Sequence, residues 1–213
     1  MARIAGCKPR ISCTSSTGVL VVGGVLILVA GPSGAGKDTL MDAARGDPDF
    51  KARFVFARRI ITRNEAIGED HVPVSADTFE AMRESGAFLL HWEAHGLHYA
   101  LPIEVLSELK AGRCVIANVS RRVVNQARAA WPRTEVISVV VDAAVLRERL
   151  VARGREPLDE IEARVLRASD AACTIPPPVH IVDNSRGLEE SIARFKNLLA
   201  MLAEPVPLVA AVG

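Results

Sequence analysis

The sequence predicts an α/β domain with a central, mainly parallel sheet flanked by helices, and three observations predict it. An apolar run at 25–30 leads directly into the glycine-rich loop Gly31-Pro32-Ser33-Gly34-Ala35-Gly36-Lys37-Asp38-Thr39, and the loop leads into the helix-like Leu40-Met41-Asp42-Ala43-Ala44. Further short apolar or β-branched runs, at 54–57, 114–117, 135–141 and 180–182, alternate with helix-like stretches, which is the order that builds parallel sheets. At 213 residues the chain is long enough for one such domain with a sizeable core.

The loop carries the chemistry. Several backbone N–H groups and the positive end of the following helix converge on one small volume, and that volume suits a phosphate. Glycines let the backbone approach closely, and Lys37 reaches the outer phosphates of a nucleoside triphosphate. The pattern G-x-x-x-x-G-K is met in full, so all nine residues from Gly31 to Thr39 are candidate nucleotide contacts. One position departs from the usual loop: Asp38 stands where a Ser or Thr hydroxyl normally holds Mg²⁺. Two readings of Asp38 stay open, a metal contact and a helix cap favoured by the negative charge at a helix N-terminus.

Composition bounds the partners. The formal net charge of +1 argues against a broad nucleic-acid footprint. Arginine dominates the cations, twenty-one against five lysines. Guanidinium groups suit bidentate phosphate recognition, although genomic base composition produces the same bias. The four cysteines, Cys7, Cys13, Cys114 and Cys173, form no C-x-x-C pair, which suits free thiols in a cytoplasmic protein. Lys8 and Arg10 ahead of an apolar run imitate a signal peptide. That run continues into the first strand, so residues 1–23 read as an N-terminal extension, 24–203 as the phosphate-loop α/β domain and 204–213 as a tail. No transmembrane span is expected, and a homodimer is left open.

In chain order, the first helix ends near the turn Gly46-Asp47-Pro48. The strand at 54–57 leads into Arg58-Arg59-Ile60-Ile61-Thr62-Arg63, three arginines in six residues. Beside a phosphate loop these suit an acceptor that itself carries phosphate. A small insert at about 64–101 holds a short helix with capping signals near Ser75 and a hairpin turning at Ala94-His95-Gly96, and Pro102 is expected to open the next helix. The strand at 114–117 exits at Asn118-Val119-Ser120-Arg121, the end of a strand where such folds bind ligands. A helix with Leu146 and Leu150 precedes Arg153-Gly154-Arg155-Glu156-Pro157. This basic loop, about 153–158, reads either as a lid that closes on phosphates or as an exposed helix connection. Leu158, Ile161, Val165 and Ala168 give the amphipathic spacing of a helix that contains Arg164, and Leu188, Ile192, Phe195, Leu199 and Leu202 that of the last helix.

From about 25 to 202 the chain resembles the guanylate kinase-like group of P-loop kinases. The resemblance rests on Gly31-Pro32-Ser33-Gly34, Thr62-Arg63, Gly68-Glu69, Ser75 to Phe79, Tyr99 with Pro102, Leu150 to Gly154, and Arg164. It departs where those enzymes read guanine: Ala66 replaces an arginine, the segment after Gly68-Glu69 is short and lacks Gly-x-Asp-Tyr, and Asn118-Val119-Ser120-Arg121 replaces an acidic stretch. In these places, and in Gly36-Lys37-Asp38, Gly68-Glu69-Asp70-His71 and His91-Trp92 with Ala94-His95-Gly96-Leu97, it is similar to the ribose 1,5-bisphosphate phosphokinase family of phosphonate degradation.

The resemblance implies ATP and Mg²⁺ as cofactors and a small-molecule sugar phosphate as substrate. It implies Lys37, Asp38, Arg153 and Arg155 at the reacting phosphates, with Asp38 toward the metal. Arg58, Arg59, Arg63, Glu69, Asp70, His71, Tyr99, Asn118 and Arg121 are implied on the acceptor side. A nucleoside monophosphate kinase and a non-catalytic guanylate kinase-like binding module are the alternatives. Asp38 and Asn118 are expected to act together, a loop carboxylate supplying the anionic contact that an asparagine cannot.

Overall fold

The computed structural model describes residues 23–63, 70–154, 157–171 and 175–204. The chain runs through β1 (Leu26–Ala30), α1 (Lys37–Arg45), α2 (Pro48–Arg53), β2 (Phe54–Phe56), β3 (Arg59–Ile61), β4 (His71–Pro73) and α3 (Ala76–Glu84). It continues with β5 (Phe88–Ala94), β6 (Leu97–Pro102), α4 (Val105–Lys110), β7 (Cys114–Asn118), a 3₁₀ turn at Arg121–Val123 and α5 (Val124–Ala130). The last part is β8 (Thr134–Val140), α6 (Ala143–Arg153), α7 (Leu158–Ala171), β9 (His180–Asp183) and α8 (Leu188–Leu202).

Five of the strands make one sheet in the order β2-β7-β1-β8-β9, and every pairing in it is parallel. The expected central sheet is present. β1 lies in its middle, buried at every residue. Side chains alternate across a strand, so Leu26, Leu28 and Ala30 enter one core with Trp92, Tyr99 and Val124. Ile27 and Val29 enter the other, with Leu40, Met41, Phe195 and Leu199 from α1 and α8. Truncating a close-packed side chain of this kind to alanine costs about 2–5 kcal/mol, and this double burial fixes where the phosphate loop begins.

A second sheet of four strands, in the order β4-β3-β6-β5, stands beside the first. Its hairpin β5–β6 turns at His95 and Gly96, both with positive φ (53° and 70°), the two-residue turn whose twist suits antiparallel strands. Phe79 of α3 packs against Ile60 and Ala100 of this sheet, and the Ser75 hydroxyl caps α3 by accepting from the Thr78 N–H at 3.1 Å. The sequence shows the helix and hairpin but not β3 and β4, each only three residues long. Pro102 corrects another expectation: it closes β6 opposite Phe88, and the next helix starts at Val105. β3 pairs with β6 only through Ile60 and Ile61, so the proline's missing N–H falls beyond that ladder.

Gly46-Asp47-Pro48 is a turn as expected, and it also starts α2. The Asp47 carboxylate accepts from the Asp49 N–H at 3.0 Å, and Pro48 takes the first helical position. Lys196 of α8 donates to the same carboxylate at 2.8 Å and holds its carboxyl below the ordinary value of 3.8. Asp183, at the end of β9, is also held low, by the Ser185 hydroxyl at 2.6 Å and the Ser185 N–H at 2.9 Å.

Lowered carboxyl pKa values stabilise the fold fully above the unfolded value, here 3.8, and the contribution is lost as pH falls through the folded value. The melting temperature therefore falls as the pH drops below about 4, and Asp183→Asn narrows that fall. A variant that keeps the wild-type acid sensitivity would remove Asp183 from this role.

Candidate active site

β1 ends between β7 and β8, where the chain crosses from one half of the sheet to the other, and such switch points are where parallel α/β sheets bind ligands. The loop that follows is held from behind. Gly36 adopts a left-handed conformation (φ 87°), and an added Cβ there would overlap the side-chain amide of Asn184. Asn184 is buried; its side-chain Nδ2 donates to the Ala35 carbonyl at 2.7 Å, and its main-chain carbonyl accepts from Arg149 Nη2 at 2.9 Å. The Asn184 side chain just past β9 thus supports the loop's turn.

Lys37 opens α1 and folds back over the loop, its Nζ donating to the Gly31 carbonyl at 3.0 Å and the Pro32 carbonyl at 2.8 Å. This places an ammonium across the loop's mouth, within reach of any phosphate the loop amides take up. The next residue makes the contact that joins loop and sheet: Asn118 Nδ2, at the buried end of β7, donates to Asp38 Oδ1 at 2.7 Å. Asp38 lies in the first turn of α1, where a negative charge is also favoured by the helix's positive end. It also lines a pocket shared with Asp42, Arg45, Arg59, Asp70 and Asn118.

The arginine cluster divides. Arg58 is engaged, its Nε donating to Asp70 Oδ1 at 2.6 Å and its Nη2 to the His71 carbonyl at 2.9 Å. Arg59 lies over the Tyr99 ring, 5.6 Å from its centroid, and Tyr99 stacks on Trp92 across the hairpin at 5.6 Å. Arg63 is half-buried just past β3. His71 is fully buried. Arg153 is the exposed last residue of α6. Arg155 and Glu69, both expected at the site, lie outside the described residues, as does most of the Arg153-to-Pro157 loop's middle.

A cleft of about 420 Å³ opens beside the loop, lined by Pro32, Ser33, Glu93, Ser120, Arg121, Arg122 and Arg164 among others. Arg164 reaches it from α7, its Nη2 donating to Ser33 Oγ at 2.6 Å, while Ile161 packs with Leu146 and Leu150 of α6, with Val165 and Ala168 against them, to hold the helix in place. Arg121 reaches it from the 3₁₀ turn capped by Ser120. Burial, and next the charge of Arg122, push the Arg121 guanidinium pKa down.

No protein-family model matches the chain. Over 185 residues it is 44% identical to ribose 1,5-bisphosphate phosphokinase PhnN of Rhizobium etli (strain CIAT 652), covering 85% of this chain and 92% of that protein. The chain belongs to the ribose 1,5-bisphosphate phosphokinase family. A second member of this family, from Pseudomonas fluorescens (strain SBW25), is 43% identical over 178 residues, covering 81% of this chain and 93% of that one. Among solved structures, guanylate kinase from Anaplasma phagocytophilum superposes with a TM-score of 0.63 at 17% identity, covering 87% of this chain and 89% of that chain. That likeness is one of fold, and it agrees with the expected P-loop kinase architecture.

For this phosphokinase family member the structure also brings forward residues that sequence reasoning passed over. Arg164 was visible as a motif match but had no role attached, and Arg149 and Asn184 had none. Arg149 and Arg164 sit in the helices flanking the basic loop, so the helices, and not only the loop between them, merited attention.

Proposed function

We propose that the chain transfers the γ-phosphoryl group of ATP to the 1-phosphate of ribose 1,5-bisphosphate, forming 5-phospho-α-D-ribose 1-diphosphate and ADP, in the phosphonate-degradation setting the resemblance implies and in the cytoplasm. An oxygen of the 1-phosphate bonds to Pγ while the bond from Pγ to the β,γ-bridging oxygen breaks, its electron pair leaving with ADP. A phosphate monoester is largely ionised at neutral pH, its second pKa being about 6, so the acceptor needs no general base. The obstacle is the meeting of two polyanions, which requires cations and preorganised N–H donors.

The observation that carries this reading is the Asp38–Asn118 contact at 2.7 Å. It sets the carboxylate that follows the loop lysine against the end of β7, and in this reading nucleotide and acceptor meet there. Lys37 and the loop amides hold the β- and γ-phosphates. Arg153 and Arg155 remain proposed for the transferring group, with Arg59 and Arg63 on the acceptor side.

A single carboxylate with phosphate oxygens and waters suits magnesium, which keeps several waters and takes few protein ligands. Asp38 fits as that carboxylate. Held by Asp38, the ion would supply positive charge against the phosphates at this end of the loop. Asp38→Thr, which restores the usual hydroxyl, shifts the magnesium concentration needed for half-maximal rate. An unchanged magnesium dependence would leave Asp38 with only its tie to Asn118.

The proposal is tested with γ-labelled ATP and magnesium, offered ribose 1,5-bisphosphate in one reaction and GMP in another. Label in the sugar diphosphate alone is expected. Label in GDP alone would overturn the substrate and return the chain to the nucleoside monophosphate kinases.

A further inference from the structure

Arg121 is a cation beside the cleft whose charge is poorly answered. Among the described residues its buried Nη1 meets no hydrogen-bond acceptor, and Arg122 stands next to it. A guanidinium stays charged in proteins, and a partly desolvated cation next to a like charge is costly until an anion arrives. By contrast, Arg58 already has the Asp70 carboxylate at 2.6 Å and the His71 carbonyl at 2.9 Å. The cluster that looks most phosphate-binding in the sequence is therefore partly neutralised, and the unanswered charge lies in the cleft.

We propose that this cleft seats the acceptor's non-transferred phosphate, with Arg121 as the residue that recognises it and Arg122 as a flanking charge, while Arg164 stands on the phosphate-loop side of the cleft through Ser33. The inference rests on the sugar bisphosphate reading above and adds which phosphate goes where. Lys37 and Asp38 mark the end of the site where transfer occurs, and Asn118 touches Asp38 at 2.7 Å. Arg121 follows Asn118 by three residues, a span of at most about 10 Å along the chain. A cation further along the exit of β7, within that reach, suits the far end of a sugar whose near phosphate reacts. Glu93 on the hairpin wall of the same cleft suits a sugar hydroxyl rather than a phosphate. The arrangement selects for a sugar carrying both phosphates, because a sugar with only the 1-phosphate leaves the Arg121 charge unanswered and one with only the 5-phosphate offers no acceptor to the loop.

Two half-substrates separate the phosphates. Ribose 5-phosphate and ribose 1-phosphate are titrated calorimetrically into the full chain, wild type and Arg121→Met, with a non-hydrolysable ATP analogue present. The variant is expected to lose about 10-fold to 100-fold in affinity for ribose 5-phosphate, the loss of hydrogen bonds to a charged group, with ribose 1-phosphate unchanged. Its melting temperature is expected at or above wild type, since an unanswered charge has been removed, whereas a structural arginine would lower it. Arg121→Lys keeps part of the ribose 5-phosphate affinity. Equal losses for both sugars, or none for either, would overturn the proposal while the substrate reading stands. A wild-type chain that binds GMP and neither sugar would overturn both.

Discussion

Replacing Lys37 by methionine lowers the rate of phosphoryl transfer by about 10²–10³, the cost of removing one preorganised donor to developing charge. The side chain is well placed for this, since its Nζ spans the loop's mouth through the Gly31 and Pro32 carbonyls at 3.0 and 2.8 Å. Those carbonyls are solvated in part and methionine preserves the aliphatic stem, so the fold survives the change. The loss appears chiefly in kcat, because the lysine meets charge that grows during transfer. Activity that survives the substitution intact would remove the loop from the chemistry.

Arg164→Met lowers kcat on the order of 10²-fold by the same reasoning. Its Nη2 donates to Ser33 Oγ at 2.6 Å, at the rim of the loop and inside the cleft that Arg121 shares. α7 keeps its place through Ile161, Val165 and Ala168 against α6, so the substitution tests charge and not folding. Arg164→Lys recovers part of the rate if the positive charge acts on the phosphates. If kcat is unchanged in both variants, the arginine only tethers α7 to the loop.

The loop and the central sheet were legible because their signals are local. Glycine spacing, the lysine and the flanking apolar strand all lie within 15 consecutive residues, 25–39. The partnership of Asp38 and Asn118 was also legible, because an atypical residue in each motif pointed to the other. What the sequence concealed depends on long-range packing. β3 and β4 have three residues each and acquire strand character only by pairing, β3 with β6 and β4 with β3. Asn184 reaches the loop from the far end of the chain, and its role follows from the space that Gly36 leaves.

The arginines show the same limit. Three within six residues suggest a phosphate site, yet Asp70 and the His71 carbonyl occupy Arg58. Among the described residues Arg121 has no such neighbour for its buried Nη1, and only the fold reveals this. Charge density along the chain is a weaker guide to anion binding than which charges the fold leaves uncompensated.

The most direct test of the account is ³¹P nuclear magnetic resonance of the product formed from ATP, magnesium and ribose 1,5-bisphosphate. The account predicts two coupled diphosphate signals from a new group on the 1-phosphate, with the 5-phosphate signal still that of a monoester. A diphosphate at the 5-position, or new phosphate on a ribose hydroxyl, would contradict it.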